Sequence, residues 1–227
     1  MSHDPKSHDH THDHAHGHDH DHGHHHHDHD HDHHHDHAHD WHSAGYVSSW
    51  IAQDERRAEE RKASIDALIA AIPFATDAAF DAVDVGAGHG LIADALLSAF
   101  PHARVTLVDF SEPMLIAARQ RLAGQDDRVR FVPANLQDPT WPSLCGGPFD
   151  VAVSGIAIHN LDGVAAMNDC YEAIRSVLKP GGVFLDYDHF DNFGGAPLHQ
   201  HGMKVAGFRA VDLIWHRHPS AVLKAQT

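Results

Sequence analysis

The sequence predicts an α/β domain built around a parallel sheet, and three observations support this fold class. The first is a short apolar run, Val83–Val85, that leads directly into a glycine-rich turn, which is typical of a buried strand entering a helix. The second is an apolar pattern at helical spacing over 91–99, which Pro101 interrupts before another apolar run at Val105–Val108. The third is the alternation of such segments over the roughly 185 residues that follow the unusual start of the chain. This length buries a single sizeable core, so one α/β domain is expected.

The glycine turn predicts a cofactor that carries a nucleoside. Glycines allow a sharp turn and let a ligand lie against backbone N–H groups at a helix N-terminus. Asp109 follows Gly90 by 19 residues and ends the second apolar run, where a carboxylate can bind a pair of ribose hydroxyls. The dinucleotide fingerprint requires Gly or Ala where Leu91 stands, so the turn does not fit an NAD site.

The segment Asp84-Val85-Gly86-Ala87-Gly88-His89-Gly90 resembles the first motif of the class I S-adenosylmethionine (SAM) dependent methyltransferases. Four further matches follow in the order of that family, at 108–115, 131–136, 149–154 and 178–182. The resemblance implies a doubly wound, seven-stranded, mostly parallel sheet of the Rossmann-like methyltransferase type. It also implies SAM as the cofactor.

The same resemblance assigns the cofactor-binding residues. Carboxylates would take the methionine amino group and the ribose hydroxyls, glycines would allow close backbone approach, and apolar or amide side chains would meet the adenine. A serine would end the fourth strand near the sulfonium. These residues are Asp84, Gly86, Gly88, Gly90, Asp109, Phe110, Met114, Asn135, Leu136 and Ser154.

Two histidines are candidate catalytic residues. Methyl transfer is an in-line displacement, which needs a general base only if the acceptor arrives protonated. His159 follows the fourth predicted strand and His189 follows the fifth, at the sheet edge where open α/β folds bind ligands. A purely structural role for either histidine remains the alternative.

The segment 46–72 predicts an amphipathic helix or two, with a break near Ser64. Its charged residues, from Asp54 to Lys62, are expected to form a solvated face. The alternative is a functional one, in which Tyr46 and Trp50 line the mouth of the site.

Residues 1–42 form a tail of different composition, ahead of the methyltransferase domain predicted at 43–227. They hold 21 of the 29 histidines and ten aspartates, and such a segment cannot bury enough apolar surface to order itself. We expect a disordered tail that binds Ni, Zn or another divalent transition metal through imidazole. A purification tag and a pH-sensitive tail are the alternatives. The expected ligands are His20, His22, His24, His25, His26, His27, His29, His31, His33, His34 and His35.

Composition limits the partners. The net charge of −16, with only 16 Lys and Arg, disfavours nucleic acid. No apolar window predicts a membrane span or a signal peptide, so a cytoplasmic location is expected. Cys145 and Cys170 are expected to be buried, and His199, His201, His216 and His218 to be surface residues.

The resemblance implies methyl transfer from SAM. The predicted acceptor is a small molecule, because little of the chain remains for a lid beyond the N-terminal helix and residues 189–201. The alternative is a metal-storage or metallochaperone protein whose methyltransferase-like core is inactive.

Overall fold

Seven strands form one sheet in the computed structural model, which describes residues 39–227. The strands are β1 (Asp81–Val85), β2 (Arg104–Asp109), β3 (Val129–Pro133), β4 (Phe149–Gly155), β5 (Leu178–Asp188), β6 (Ala210–Arg217) and β7 (Ser220–Gln226). Their order across the sheet is β3-β2-β1-β4-β5-β7-β6. The pairs among β1 to β5 are parallel, whereas β7 runs antiparallel between β5 and β6. This confirms the predicted doubly wound, mostly parallel sheet.

Seven α-helices connect and cover the strands in the described residues. They are α1 (Ala44–Arg56), α2 (Ala58–Ala70), α3 (Leu91–Ala99), α4 (Glu112–Arg121), α5 (Trp141–Cys145), α6 (Gly163–Ser176) and α7 (Ala196–Val205). Short 3₁₀ turns occur at Ile158–Asn160 and Phe190–Asn192.

The N-terminal helical segment is interrupted at a different place from the one predicted. Helices α1 and α2 meet at Arg57, so the break expected near Ser64 is wrong. Ser64 continues the helix, since its hydroxyl donates a hydrogen bond to the Arg61 carbonyl at 2.7 Å, a local bond that a helix interior tolerates.

Alternation along the strands divides the core between the two sheet faces. Ala82 packs with α2 and α3 on one face, where Leu68 and Leu96 are fully buried. Val83 packs on the opposite face with α6, where Tyr171 and Ile174 are buried. The period-2 pattern of the strands therefore sets which helix covers which face.

Residues 189–201, which were expected to help enclose an acceptor, contain a 3₁₀ turn and the first six residues of α7. Met203 and His199 of this helix are buried at 0% and 2% exposure. The prediction that His199 is a surface residue is therefore wrong. Its Nδ1 accepts a hydrogen bond from the Tyr171 hydroxyl at 2.8 Å, while Nε2 donates to the Phe193 carbonyl.

Candidate functional site

A pocket of about 230 Å³ lies at the carboxyl edge of the sheet, where β1 has β2 on one side and β4 on the other. The connections leaving β1 and β4 run in opposite directions at this point, which opens a crevice in α/β folds of this kind. Eight of the ten predicted cofactor-binding residues line it: Asp84, Gly86, Gly88, Asp109, Phe110, Met114, Asn135 and Leu136.

The glycine turn brings bare backbone to the pocket wall. Gly86 has φ +69°, and a Cβ at this position would lie 2.4 Å from the Ala157 Cβ, so no larger residue fits without movement of the chain. Gly90 is the exception among the predicted glycines, since it does not line the pocket. It begins α3 with φ +78°, and a Cβ there would meet the Ala118 Cβ at 3.2 Å. Its role in this structure is close helix packing.

Asp109 ends β2 with both carboxylate oxygens hydrogen-bonded to backbone. One oxygen accepts from the Gly88 N–H and the other from the Ser111 N–H, each at 2.8 Å. Burial raises the pKa of Asp109, and these hydrogen bonds oppose the rise. The carboxylate thus fixes the glycine turn to the start of α4, and each of its oxygens keeps a further lone pair for a ligand.

Asp84 is the most unusual group in the pocket wall. It is 1% exposed, and its Oδ2 has no hydrogen-bond partner among the described residues. Burial raises the pKa of Asp84 to about 7, the Ala93 N–H lowers it by hydrogen bonding, and the nearby Asp109 carboxylate raises it further. A buried carboxyl oxygen without a partner is costly, so its position in a pocket wall points to a cationic or N–H-bearing ligand.

Ser154 is the other predicted cofactor residue that the structure places elsewhere. Its side chain is fully buried, and its hydroxyl donates a hydrogen bond to the Val85 carbonyl at 2.8 Å. It therefore ties β4 to β1 beneath the pocket. Next along the chain, Ile156 lines the pocket with φ +54°, a conformation that costs a β-branched residue about 1–3 kcal/mol. Its N–H donates to the Tyr187 carbonyl at 2.8 Å, which helps to hold that turn.

The opposite wall of the pocket comes from helices α1 and α2 and from the residues just before α1. Trp41, Trp50, Arg61 and Ile65 line it, and the two indoles meet edge to face with centroids 5.5 Å apart. The hypothesis that Trp50 lines the mouth is confirmed. Tyr46 does not line the pocket, since it packs against Trp41 and its hydroxyl contacts His39.

The charged face predicted for α1 and α2 is wrong at two residues. Asp54 and Arg61 are buried at 3% and 9% exposure and form an ion pair. The second oxygen of Asp54 accepts from the His89 Nε2–H at 3.1 Å, while Arg121 donates to His89 Nδ1 at 2.9 Å. Burial, together with the nearby Arg121 and Arg61, lowers the pKa of His89 to about 4. The signal was present in the sequence, because residues 50, 54, 61, 65 and 68 share one helical stripe.

His159 forms a dyad with Asp188 and does not itself line the pocket, although its neighbours Asn160 and Leu161 do. Its Nδ1 donates a hydrogen bond to the Asp188 carboxylate at 2.5 Å, and Phe193 stacks on the ring with centroids 4.4 Å apart. His189 lies beside it at a centroid distance of 6.3 Å, and its Nδ1 is 2.9 Å from the Ser220 hydroxyl. Burial lowers the pKa of His189, an effect that the Asp188 carboxylate opposes.

The predicted metal ligands, from His20 to His35, lie outside the described residues. Within residues 39–227 the structure contains no group of three or more His, Cys, Asp or Glu side chains arranged to hold a metal ion. In the same range, no helix combines the length and the apolar character that crossing a membrane requires.

Part of the chain is similar to known proteins. Residues 83–184 match the family described as "Methyltransferase domain". Over 74 residues the chain is 42% identical to the release factor glutamine methyltransferase of Chlorobaculum tepidum, covering 32% of this chain and 25% of that protein. Over 130 residues it is 32% identical to a ubiquinone/menaquinone biosynthesis C-methyltransferase of Methylobacterium nodulans, covering 55% and 49%.

A solved structure shares the fold at low sequence identity. The N-methyltransferase NodS of Bradyrhizobium japonicum, in complex with S-adenosyl-L-homocysteine, gives a TM-score of 0.58 at 16% identity, covering 74% of this chain and 86% of that one. The chain spans about a quarter of the length of the Chlorobaculum relative and about half of the length of the Methylobacterium relative.

Proposed function

We propose that this chain, whose residues 83–184 match a methyltransferase-domain family, transfers a methyl group from SAM to a small-molecule acceptor. The observation that carries the proposal is the unpaired Asp84 carboxyl oxygen in the wall of a pocket that also contains the Gly86–Gly88 turn and Asp109.

The residues present fit SAM. Asp84 offers a carboxyl oxygen without a partner to the methionine ammonium group, and the positive charge of that group would favour the ionised form of Asp84. Asp109 offers free lone pairs to the ribose hydroxyls, while Phe110 and Met114 provide apolar surface for the adenine. The Oδ1 of Asn135 accepts the Gln137 N–H at 2.9 Å and keeps a further lone pair for the adenine.

Bound SAM supplies an electrophilic methyl group on a sulfonium, and the chain contributes position and proton transfer. Trp41 and Trp50 cover the pocket and would exclude water from it. His159 is the proposed general base. Since its Nδ1–H donates to Asp188, Nε2 is the atom that would take a proton from the acceptor. Phe193 stacks on one face of the imidazole ring in this structure, while Nε2 accepts in the plane of that ring.

A small acceptor is supported by the size and cover of the pocket, because α1 and α2 leave about 230 Å³ beneath them. The comparisons support the same class only in part. The Methylobacterium relative is named for quinone biosynthesis, whereas the Chlorobaculum relative is named for a protein acceptor. The accepting atom is left open.

Metal binding by the tail is a separate part of the proposal, supported by sequence alone. Its imidazoles must be neutral to coordinate Ni or Zn, so bound metal should be released as the pH falls through about 6. The alternative is a metal-storage protein whose methyltransferase-like core is inactive. The glycine turn and Asp109 are intact in this chain, so they give no support to that alternative. A cytoplasmic location also remains a prediction.

Calorimetry with SAM tests the enzyme and the tail together. We would compare the full chain with a truncated protein that begins at residue 39, because Trp41 lines the pocket and must be kept. Both proteins should bind SAM with similar affinity, and only the full chain should bind several equivalents of Ni or Zn. Failure of both proteins to bind SAM would contradict the enzyme proposal. Full metal binding by the truncated protein would contradict the tail proposal.

A further inference from the structure

Arg61 is a buried cation in the wall of the pocket. It lies in α2 at 9% exposure, and its guanidinium carbon is 5.9 Å from the centre of the Trp50 ring. Among the pocket-lining residues within 39–227 it is the sole Lys or Arg. The neighbouring His89 is held neutral at physiological pH by the depression of its pKa to about 4.

The hydrogen-bonding capacity of Arg61 is only partly used. Asp54 Oδ1 is its ion partner, while the second Asp54 oxygen accepts from His89, so Asp54 does not offer both oxygens to the guanidinium fork. Within residues 39–227, no other acceptor is hydrogen-bonded to the Arg61 side chain. A guanidinium carries five N–H donors in one plane, so Arg61 keeps donors that a ligand in the pocket could bind.

The surroundings favour a planar anion as the missing partner. Burial lowers the pKa of Arg61, and the Tyr187 side chain lies close enough to oppose that lowering. The pocket places Arg61 beside the Trp50 indole and the Tyr187 phenol, which provide flat apolar surfaces next to the cation. A carboxylate matches the fork of an arginine better than any single-point acceptor does.

We propose that Arg61, with Trp50 and Tyr187, forms a carboxylate-binding subsite of the pocket. Two ligands could supply that carboxylate, namely the methionine part of the cofactor and the acceptor molecule. The inference deepens the proposed function and rests on it where the cofactor is concerned.

The experiment measures ligand binding to the parent and to Arg61→Gln. The first two probes are S-adenosylhomocysteine and 5′-methylthioadenosine, which lacks the amino-acid part. The other two are benzoate and benzyl alcohol, of which only benzoate carries a carboxylate. Tryptophan fluorescence is a suitable readout, because Trp41 and Trp50 lie in the pocket wall.

Two further variants keep the test independent of folding. Loss of Arg61 alone leaves Asp54 as a buried charge without its ion partner, which is destabilising. The double variant with Asp54→Asn and Arg61→Gln removes both charges. Asp54→Asn alone is the matched control, since it frees the Arg61 donors and should leave carboxylate binding equal or tighter.

The results show whether the cofactor or the acceptor supplies the carboxylate, or whether there is no subsite. If the cofactor supplies the carboxylate, Arg61→Gln should weaken S-adenosylhomocysteine binding about 10- to 100-fold and leave 5′-methylthioadenosine unchanged. If the acceptor supplies it, both nucleosides should bind as before, and benzoate should lose its advantage over benzyl alcohol.

Equal binding of all four probes by the parent and both Arg61 variants would overturn the inference. A parent that binds benzoate through Arg61 but not S-adenosylhomocysteine would leave the subsite standing and contradict the proposed function. A parent that binds neither would contradict both.

Discussion

Asp84 at the carboxyl end of β1 and Asp186 within β5 are both buried aspartates, at 1% and 0% exposure, with carboxyl oxygens that have no partner among residues 39–227. Burial raises the pKa of each. They differ in what lies beside them. Asp84 lines the pocket, whereas Asp186 lies on the Phe184 side of the sheet, where its charge would raise the pKa values of Cys170 and Tyr171 on α6.

The difference shows that an unpaired buried carboxyl has two physical interpretations. Beside a pocket, it can be ionised and paired by a ligand that brings positive charge. Within a packed core, it remains protonated, because no partner can reach it. The surroundings decide between these interpretations, and the residue type does not.

The largest effect is expected for Asp84→Asn, which should have opposite effects on stability and cofactor binding. The pKa of Asp84 rises from 3.8 to about 7 on folding. The free-energy cost of ionising the buried Asp84 carboxyl is therefore absent below pH 4, increases between pH 4 and pH 7, and reaches its full value above pH 7. At about 1.4 kcal/mol per pH unit, the variant should be more stable by up to about 4 kcal/mol at pH 8. SAM affinity should fall, because the ammonium group loses a charged partner.

Denaturant unfolding at pH 4 and pH 8, with SAM calorimetry alongside, checks both parts of this prediction. In the parent, SAM affinity should rise with pH up to about 7, and this rise should disappear in the variant. An equal stability gain at both pH values would count against an ionisable Asp84.

Asp188 shares the strand face of Asp186 but has a partner in His159. If His159 is the general base, His159→Ala should lower turnover about 100-fold or more with SAM affinity nearly unchanged. Asp188→Asn is the matched variant, since it keeps the shape and removes the charge that orients the ring. Its pH–rate profile should shift as well as its turnover. Normal turnover by His159→Ala would return this histidine to a structural role.

Asp109 contrasts with Asp84 as the pocket carboxylate whose two oxygens both have backbone partners. Asp109→Ala should weaken SAM binding by about 1.5–3 kcal/mol, the range for hydrogen bonds to a charged group. The Gly88 and Ser111 N–H groups would also lose their acceptor, so the melting temperature should fall too. Calorimetry and thermal unfolding measure the two effects, and unchanged SAM affinity would mean that Asp109 does not face the ribose.

The smallest effect on ligand binding is expected for Asp186→Asn. Its pKa is raised well above the ordinary value by burial and by Asp188, so the variant should gain stability over the parent as the pH rises above about 4. SAM affinity should stay at the parental value, in contrast to Asp84→Asn. Loss of SAM binding would show that the two aspartates are coupled and that the comparison fails.

The sequence alone was sufficient to predict the fold class and eight of the residues that line the pocket. The Gly86–Gly88 turn and the place of Asp109 follow from short patterns, because glycine conformation and strand alternation are local properties of the backbone, whereas the seven-stranded sheet was implied by the resemblance to a family. Met114 and Leu136 were found through a family pattern that is equally local.

Only the tertiary structure decided which side chains complete the site. The sequence placed Arg61 on a solvated face and Ser154 beside the cofactor, whereas packing buries Arg61 in the pocket wall and turns Ser154 toward β1. Likewise, Gly90 proved to be a packing position, and His159 lies beneath Phe193. Burial and hydrogen-bond partners depend on contacts between residues far apart in the chain. Patterns within a single segment therefore predict the backbone well, but they do not predict which side chains face the ligand.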